Sequence, residues 1–338
     1  MVDSSPQIVK DILQSSCHVH IVNNNGSATP WRKARADARL AGTSLAPVAV
    51  TSRPTMRVRA GAGEREYLLT QMVRTAARVA RGTVRRAIRR RPDRHPAAVR
   101  NLYDAHRAGF PIDDFDSYVY GDAETPTHVL VDDRIVWRPA APIAQRFLVH
   151  LGDVIQAHTG GNGTVVELGS GRGRNLLYLK RRFPDLRCVG LDISPVSTAL
   201  ARAAAERFGL AIEVANADVT QPLPPLPSDI AVCYSVHALE QMPRIFPQAV
   251  QAMLGLQPRA VALFEPVAEL YPPTLRGWVS RLYIRDHDYL NGLYRHVQGI
   301  GATITRAARL GYATNPLNET AEILLVPKSV ARGRPPTE

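Results

Sequence analysis

Beyond Arg138 the apolar residues fall into short runs bounded by glycine, proline and acids, and their spacing predicts strands alternating with helices. A helix over 143–157 leads into strand 164–168, helix 175–182, strand 188–193, helix 196–208 and strand 211–217. Strand 229–236, helix 244–256, strand 260–265, a helical stretch over 274–300 and strands 303–311 and 321–326 complete the series. Such alternation implies a parallel sheet covered on both faces, because each crossover helix must pack back onto the strands it joins. The last two strands are separated by a linker holding Asn315-Pro316 and no helix, so an antiparallel hairpin is expected there. The fold class is therefore α/β: a doubly wound, mostly parallel sheet with an antiparallel carboxyl-terminal hairpin.

The front of the chain is patterned differently. Residues 1–63 mix short apolar runs with Asn-Asn-Asn-Gly and Ala-Gly-Ala-Gly and hold no period, so partial order at most is expected. From Glu66 to about Arg91, Leu69, Met72, Val73, Ala76, Ala80, Val84 and Ile88 recur at helical spacing, while Arg74, Arg78, Arg81, Arg85 and Arg89 line another face. This predicts a basic amphipathic helix, stopped at Arg91-Pro92. A mixed segment over 97–138 follows, with "FPIDDFDSYVYGD" and the strand-like "THVLVDDRIVW". Four regions result: an irregular segment 1–63, a basic helical extension 64–138 that serves as a cap or substrate region, the α/β domain 139–328, and a tail 329–338.

Charge sharpens this division. Of the 338 residues, those from Met1 to Phe110 hold 20 Lys and Arg against 7 Asp and Glu, whereas the remainder holds 22 against 23. The whole basic surplus sits in front. Arginine nonetheless supplies all but 4 of the 42 basic residues throughout, including the neutral part, so preference for arginine says nothing about a polyanion. The arm leaves three readings: packing on the domain's own acidic loops, contact with nucleic acid, or peripheral contact with an acidic membrane through residues 66–91. Aromatic residues are absent from 66–94 apart from Tyr67, so base stacking lacks support. Cys17, Cys188 and Cys233 show neither paired nor metal-type spacing, and no run approaches the roughly 20 apolar residues that cross a bilayer. A cytoplasmic protein is expected.

The chemistry-bearing stretch is "VVELGSGRGRN", where a buried strand ends in an acid and breaks into three glycines. Glycines at a strand exit let backbone approach a ligand closely. A dinucleotide fingerprint would need a small residue where Arg174 stands, whereas Glu167-Leu-Gly169-Ser-Gly171-Arg-Gly173 satisfies E/D-x-G-x-G-x-G. Here the chain resembles the class I S-adenosylmethionine-dependent methyltransferases, over roughly 143–326. The second strand ends in "GLDISP", the third in "ANADVTQPLP", the fourth runs into "SVHALEQMP", and the terminal hairpin is similar to the finish of that family's seven-stranded sheet. The resemblance implies S-adenosyl-L-methionine as cofactor. It places Glu167, Gly169, Ser170, Gly171 and Gly173 at the cofactor turn, Asp192 and Ile193 at the ribose, Asp218 and Val219 near the adenine, and Ser235 beside the methyl donor. One carboxylate accepting from two vicinal hydroxyls is the economical way to fix a ribose, which suits Asp192. Glu167 is open between orienting the turn and meeting the cofactor's positive end. Arg172 and Arg174 lie outside the motif and are expected to be solvated.

Methyl transfer to a hydroxyl needs positioning and a base. His237, at the fourth strand's exit with Glu240 three residues on, is the leading base. Glu265 ends the fifth strand and faces the same crevice, where it would hold the acceptor. "RDHDYLNGLY" places Arg285, Asp286, His287, Asp288 and Tyr289 together, where the family carries substrate-binding insertions, and His287 or Asp288 is expected to act there. A divalent ion would use Asp288, His287 and Glu265, but no spacing demands one and no metal is expected. The expected acceptor is a small molecule or glycan, methylated on a hydroxyl, with RNA and a non-catalytic binding role as the rivals.

Overall fold

A computed structural model describes residues 62–86 and 95–327. The segment 1–61, with Cys17, and the tail beyond residue 327 lie outside the described residues. The chain opens with α1 (Ala62–Arg86), α2 (Pro96–Arg107), α3 (Phe115–Tyr120) and the hairpin β1 (Pro126–Val131) and β2 (Arg134–Pro139). It continues through α4 (Ala141–Thr159), β3 (Gly163–Leu168), α5 (Arg174–Arg182), β4 (Leu186–Asp192), α6 (Pro195–Phe208) and β5 (Glu213–Asn216). The remaining elements are β6 (Ile230–Val236), α7 (Phe246–Gly255), β7 (Ala260–Glu265), α8 (Leu275–Asp286), α9 (Leu293–Gly299), β8 (Thr303–Arg309) and β9 (Ala321–Val326). No helix among the described residues is long and apolar enough to cross a membrane.

Seven strands form one sheet in the order β5-β4-β3-β6-β7-β9-β8. Pairing is parallel from β5 through β7, and β9 runs antiparallel to both β7 and β8. From β3 the chain winds outward through β4 and β5, then returns to the other side of β3 with β6. The crevice between the carboxyl ends of β3 and β6 is therefore the topological switch point, where open α/β sheets take ligands. Residues alternate between the two faces, apart from a register shift at Ala231 of β6. Val165, Val232, Tyr234 and Phe264 join the cluster under α4 and α5, while Val166, Leu168, Cys233 and Leu263 join the cluster with Val250 of α7 and Val297 of α9. Cys188 and Cys233 are buried free thiols in this core.

Local signals explain the boundaries. Ser194 caps α6, its hydroxyl accepting from the Ser197 amide at 2.9 Å, with Pro195 at the first helical position. Gly209 ends α6 at φ +64°. The single helical stretch expected over 274–300 is two helices, α8 and α9, broken where Asp288 and Gly292 take φ of +52° and +90°. The strand-like "THVLVDDRIVW" is a hairpin rather than one strand: Asp132 and Asp133 both have positive φ, 49° and 63°, which makes the tight turn that matches strand twist.

The front elements are built into the domain. Leu68, with Tyr67 and Met72 against it, packs on Val279 and Tyr283 of α8 and on Leu130 and Ile135 of the hairpin. The helix expected from the 66–91 pattern thus exists, but its apolar face differs from the expected one: Leu69 and Val73 are 50% and 63% exposed, while Leu68 and Thr75 are buried. The side chains of Arg78, Arg81, Arg85 and Arg89 lie outside the described residues. At the hairpin's tip, Arg276 of α8 donates to Asp133 at 2.7 Å and to the fully buried Glu319 at 2.8 Å. Arg309 joins the same two carboxylates, and Glu319 also accepts from the Gly311 amide. This network fixes the connection between β8 and β9, which becomes a wall of the site.

Candidate active site

A cavity of about 1030 Å³ opens at the switch point and runs beneath α1 and the β1–β2 hairpin. One wall begins with the turn after β3, where Gly169, Gly171 and Gly173 take φ of +74°, +53° and +75°. The amides of Gly169 and Ser170 both donate to the Leu191 carbonyl, and the Gly171 amide donates to Asp192 Oδ2 at 2.7 Å. A Cβ built on Gly169 would overlap the Ala238 methyl in the turn after β6, so the two loops meet with no room for a side chain. One on Gly171 would meet nothing within 4 Å, since that residue borders open space. Gly173 faces away from the cavity, and its Cβ would sit 3.0 Å from that of Ala201; the glycine lets α5 and α6 approach.

Asp192 Oδ1 accepts from the Ser194 amide at 2.8 Å, so one carboxylate bridges the glycine turn and the start of α6. Burial pushes its pKa up against those hydrogen bonds and the nearby Arg107 charge. Asp218 holds the Thr220 amide and hydroxyl on one oxygen, and with Ile193 and Val219 it lines the same wall.

Three residues expected at the cofactor stand behind the wall. Glu167 is buried beneath the turn, accepting from Asn175 Nδ2 at 2.5 Å and from the Tyr234 hydroxyl at 3.2 Å, and burial raises its pKa to about 8. Of its two open roles, this placement gives the orienting one: Asn175, which does line the cavity, stands between Glu167 and any ligand. Ser235 is fully buried and donates to Glu265. Gly173 makes the third.

Glu265 does not face the crevice, as the sequence suggested. It is fully buried, and its carboxylate accepts from the amides of Ala238 and Leu239 at 3.0 Å and of Glu240 at 3.2 Å. It is the anchor of the turn after β6, because an acid ending β7 lies beneath the free amides of the short 3-10 turn Leu239–Gln241. Burial raises its pKa to about 7, opposed by the His237 charge. His287 likewise lies off the cavity wall, at the end of α8, its ring tilted over Tyr283 at 4.0 Å and Nδ1 at 2.9 Å from the Tyr283 carbonyl. Asp288 pairs with Arg244 at 3.1 Å on the surface. With Glu265 committed to backbone, those three groups do not converge, and no cluster able to hold a metal ion occurs among the described residues.

His237 does reach the cavity. Its backbone takes φ +52°, and its imidazole is bracketed: Nδ1 is 3.3 Å from Glu240 Oε2 and Nε2 is 2.7 Å from the Thr320 hydroxyl. Glu240 is buried and also accepts from Asn318 at 2.8 Å and Gln241 at 3.0 Å. Burial works to lower the His237 pKa, but the Glu240 charge and hydrogen bond, with Glu265 behind, overcome it and raise the value above the ordinary 6.5. For Glu240, burial works upward and is outweighed by His237, Asn318 and Gln241, so it stays anionic. A carboxylate on Nδ1 orients the ring and leaves Nε2 as the basic nitrogen of the neutral form.

Sequence reading missed the buried polar run Asn318, Glu319 and Thr320, which supplies both partners of the His237–Glu240 pair and the Glu319 anchor. Three polar residues entering an apolar strand in "LNETAEILLV" are the signal that was there to be found. Arg172, expected to be solvated, is buried between the rings of Phe110 and Tyr118, with its carbon 4.3 and 4.4 Å from their centroids. It donates to the Tyr118 carbonyl, and the Tyr118 hydroxyl donates back to the Arg172 carbonyl at 2.8 Å.

Residues 165–255 match a family model described as a methyltransferase domain. Over that stretch the chain is similar to methyltransferase domains. The matched stretch begins within β3 and ends with α7, so it contains the glycine turn, Asp192, Asp218 and His237. Among solved structures, magnesium protoporphyrin IX methyltransferase (ChlM) from Synechocystis PCC 6803 with bound SAH is 17% identical over 69% of this chain and 99% of that one, at a TM-score of 0.49. The cyclase SpnF is 16% identical over 68% of this chain and 94% of that one, at 0.47. The N-methyltransferase NodS from Bradyrhizobium japonicum WM9 is 12% identical over 55% and 88%, at 0.42. The glycine turn fits a small polar cofactor on its own terms. Asn175 Oδ1, in a wall residue, is buried without a hydrogen-bond partner, and Gly171 leaves its backbone open to approach, whereas Ser170 Oγ lies against Gly190 of β4.

Proposed function

We propose that the protein transfers a methyl group from S-adenosylmethionine to a hydroxyl of a small-molecule acceptor: a sugar, a glycan intermediate or another natural product. The observation that carries this reading is that one cavity joins the glycine turn, Asp192 and Asp218 at one end to the bracketed His237 imidazole. Bound there, the cofactor supplies a carbon activated by sulfonium, so little is left for the protein beyond placement and proton removal. Gly169 to Gly171 offer bare backbone, and Asn175 offers an unsatisfied carbonyl oxygen to the amino-acid end. Asp192 keeps acceptor capacity for the ribose hydroxyls, and Asp218 stands at the adenine. His237 Nε2 would exchange its Thr320 partner for the acceptor hydroxyl and take its proton as the methyl carbon passes from sulfur to that oxygen, with S-adenosylhomocysteine as the leaving group, while anionic Glu240 would stabilise the resulting imidazolium. Cys188 and Cys233 as buried free thiols accord with a cytoplasmic setting, where we place the protein.

The test is incubation with isotope-labelled S-adenosylmethionine and metabolite extracts, read by mass spectrometry for methyl ethers. With an acceptor in hand, His237→Ala should slow turnover by about 10²–10⁴-fold and leave calorimetric cofactor affinity unchanged. Because the imidazole pKa is raised, turnover should climb as pH rises through a value above 6.5. Wild-type turnover in His237→Ala would remove the base.

A further inference from the structure

The wall opposite the glycine turn carries a feature that methyl transfer as such does not require. Trp137 of β2 stands across the hairpin from His128 of β1, the two rings meeting edge-on at 4.7 Å and 70°. Tyr67 of α1 stacks on the same imidazole at 4.2 Å and 29°. All three rings line the cavity, yet Trp137 remains 62% exposed. Burial pushes the Tyr67 phenol up to about 12 and holds the His128 pKa below its ordinary 6.5, so these rings are uncharged near neutral pH. Around it the cavity is lined by Glu66, Thr70, Asp122, Thr125 and Thr127, all hydrogen-bonding side chains on the same front elements.

From this arrangement we infer that the acceptor is a carbohydrate, whose ring lays its C–H face on Trp137 and offers its hydroxyls to the surrounding carboxylates and threonines. The inference rests on the methyl-transfer reading and names the substrate class of the same cavity. A pyranose is apolar on its faces and polar on its rim, so it wants one flat apolar surface within a frame of hydrogen-bonding groups. A tryptophan supplies that surface at a low entropic cost. A planar aromatic acceptor would be served better by a closed apolar slot, which burial of most of its surface requires. Glu66 and Asp122 balance Arg74 and Arg107 among the front-element residues that line the cavity, so this wall has no cationic surplus to draw a polyanionic acceptor.

Saturation-transfer NMR on the full chain tests this, with S-adenosylhomocysteine saturating and with methyl glucoside, mannoside, rhamnoside and fucoside as probes. Catechol and cytidine monophosphate serve as the rivals. The expected result is transfer to ring C–H protons of at least one glycoside, lost in Trp137→Ala and recovered in Trp137→Phe. Response from no glycoside, response from catechol or cytidine monophosphate alone, or glycoside transfer that persists in Trp137→Ala overturns the inference. Calorimetry with S-adenosylmethionine on wild type and Trp137→Ala reads the other claim separately. Equal binding by both is expected; absence of binding to wild type sinks the methyl-transfer reading, whereas binding without a glycoside response sinks the carbohydrate inference alone.

Discussion

Two glycines in one turn carry different burdens, and substituting each by alanine separates the burdens. At Gly169 the backbone has φ +74°, and the added methyl would overlap that of Ala238, which is fixed to the main chain and cannot swing aside. The left-handed conformation costs a non-glycine residue about 1–2 kcal/mol. Forcing an extra methyl into a packed contact costs about 1–3 kcal/mol more, so Gly169→Ala should lose roughly 2–5 kcal/mol. Gly171 has φ +53° with nothing within 4 Å of the added carbon, so only the conformational cost applies, about 1–2 kcal/mol. Urea unfolding of the two variants beside wild type reads the difference. Calorimetry with S-adenosylmethionine then reads function on the better-folded variant: the Gly171→Ala methyl fills the space that the cofactor should occupy, and affinity should fall by more than the stability loss explains. Equal stability of the two variants would refute the meeting of the β3 and β6 turns. Unchanged affinity in Gly171→Ala would refute the turn's role in binding.

Glu167 gives a pH-dependent outcome. Its folded pKa of about 8 lies above the ordinary 4.5, so its stabilising contribution is complete below 4.5 and is lost as pH rises through about 8. Glu167→Gln, which keeps an acceptor for Asn175, should flatten the decline in stability between pH 5 and 8 seen by thermal unfolding; an unchanged slope would show that Glu167 is not the buried acid described. Arg172→Ala removes a guanidinium held by two rings and a carbonyl, each cation–π contact being worth about 0.5–2 kcal/mol. Faster hydrogen exchange over residues 110–120 is expected, and wild-type protection there would show that Arg172 does not tie the front elements to the cofactor turn.

The sheet was legible because β3, β6 and β7 are continuous apolar runs and the crossover helices between them are amphipathic or capped, as at Ser194-Pro195. The hairpin β8–β9 followed from the missing helix between its strands. Of the cavity wall, the glycine turn and the acids after β4 and β5 were legible, because they are local patterns. What stayed hidden depends on which way a side chain points and on distant partners. Glu265 and Ser235 sit in β7 and β6, where a one-residue step moves a side chain to the other face, and Glu265 turned inward to bind amides. His287 lost its place because α8 ends at Asp286, and the chain turns there to pack the ring on Tyr283. Thr320 and Asn318 reach His237 and Glu240 across 83 and 78 residues, beyond any periodicity. The aromatic wall joins Tyr67, His128 and Trp137 from three elements for the same reason.

In the proposed function, bare backbone at Gly169 to Gly171 and the Asp192 carboxylate together hold S-adenosylmethionine. A crystal of the full chain soaked with S-adenosylhomocysteine tests it most directly. The expected density shows both ribose hydroxyls on Asp192 and the amino-acid end against the glycine turn. Density elsewhere in the cavity, or none at full soaking concentration, would contradict the account.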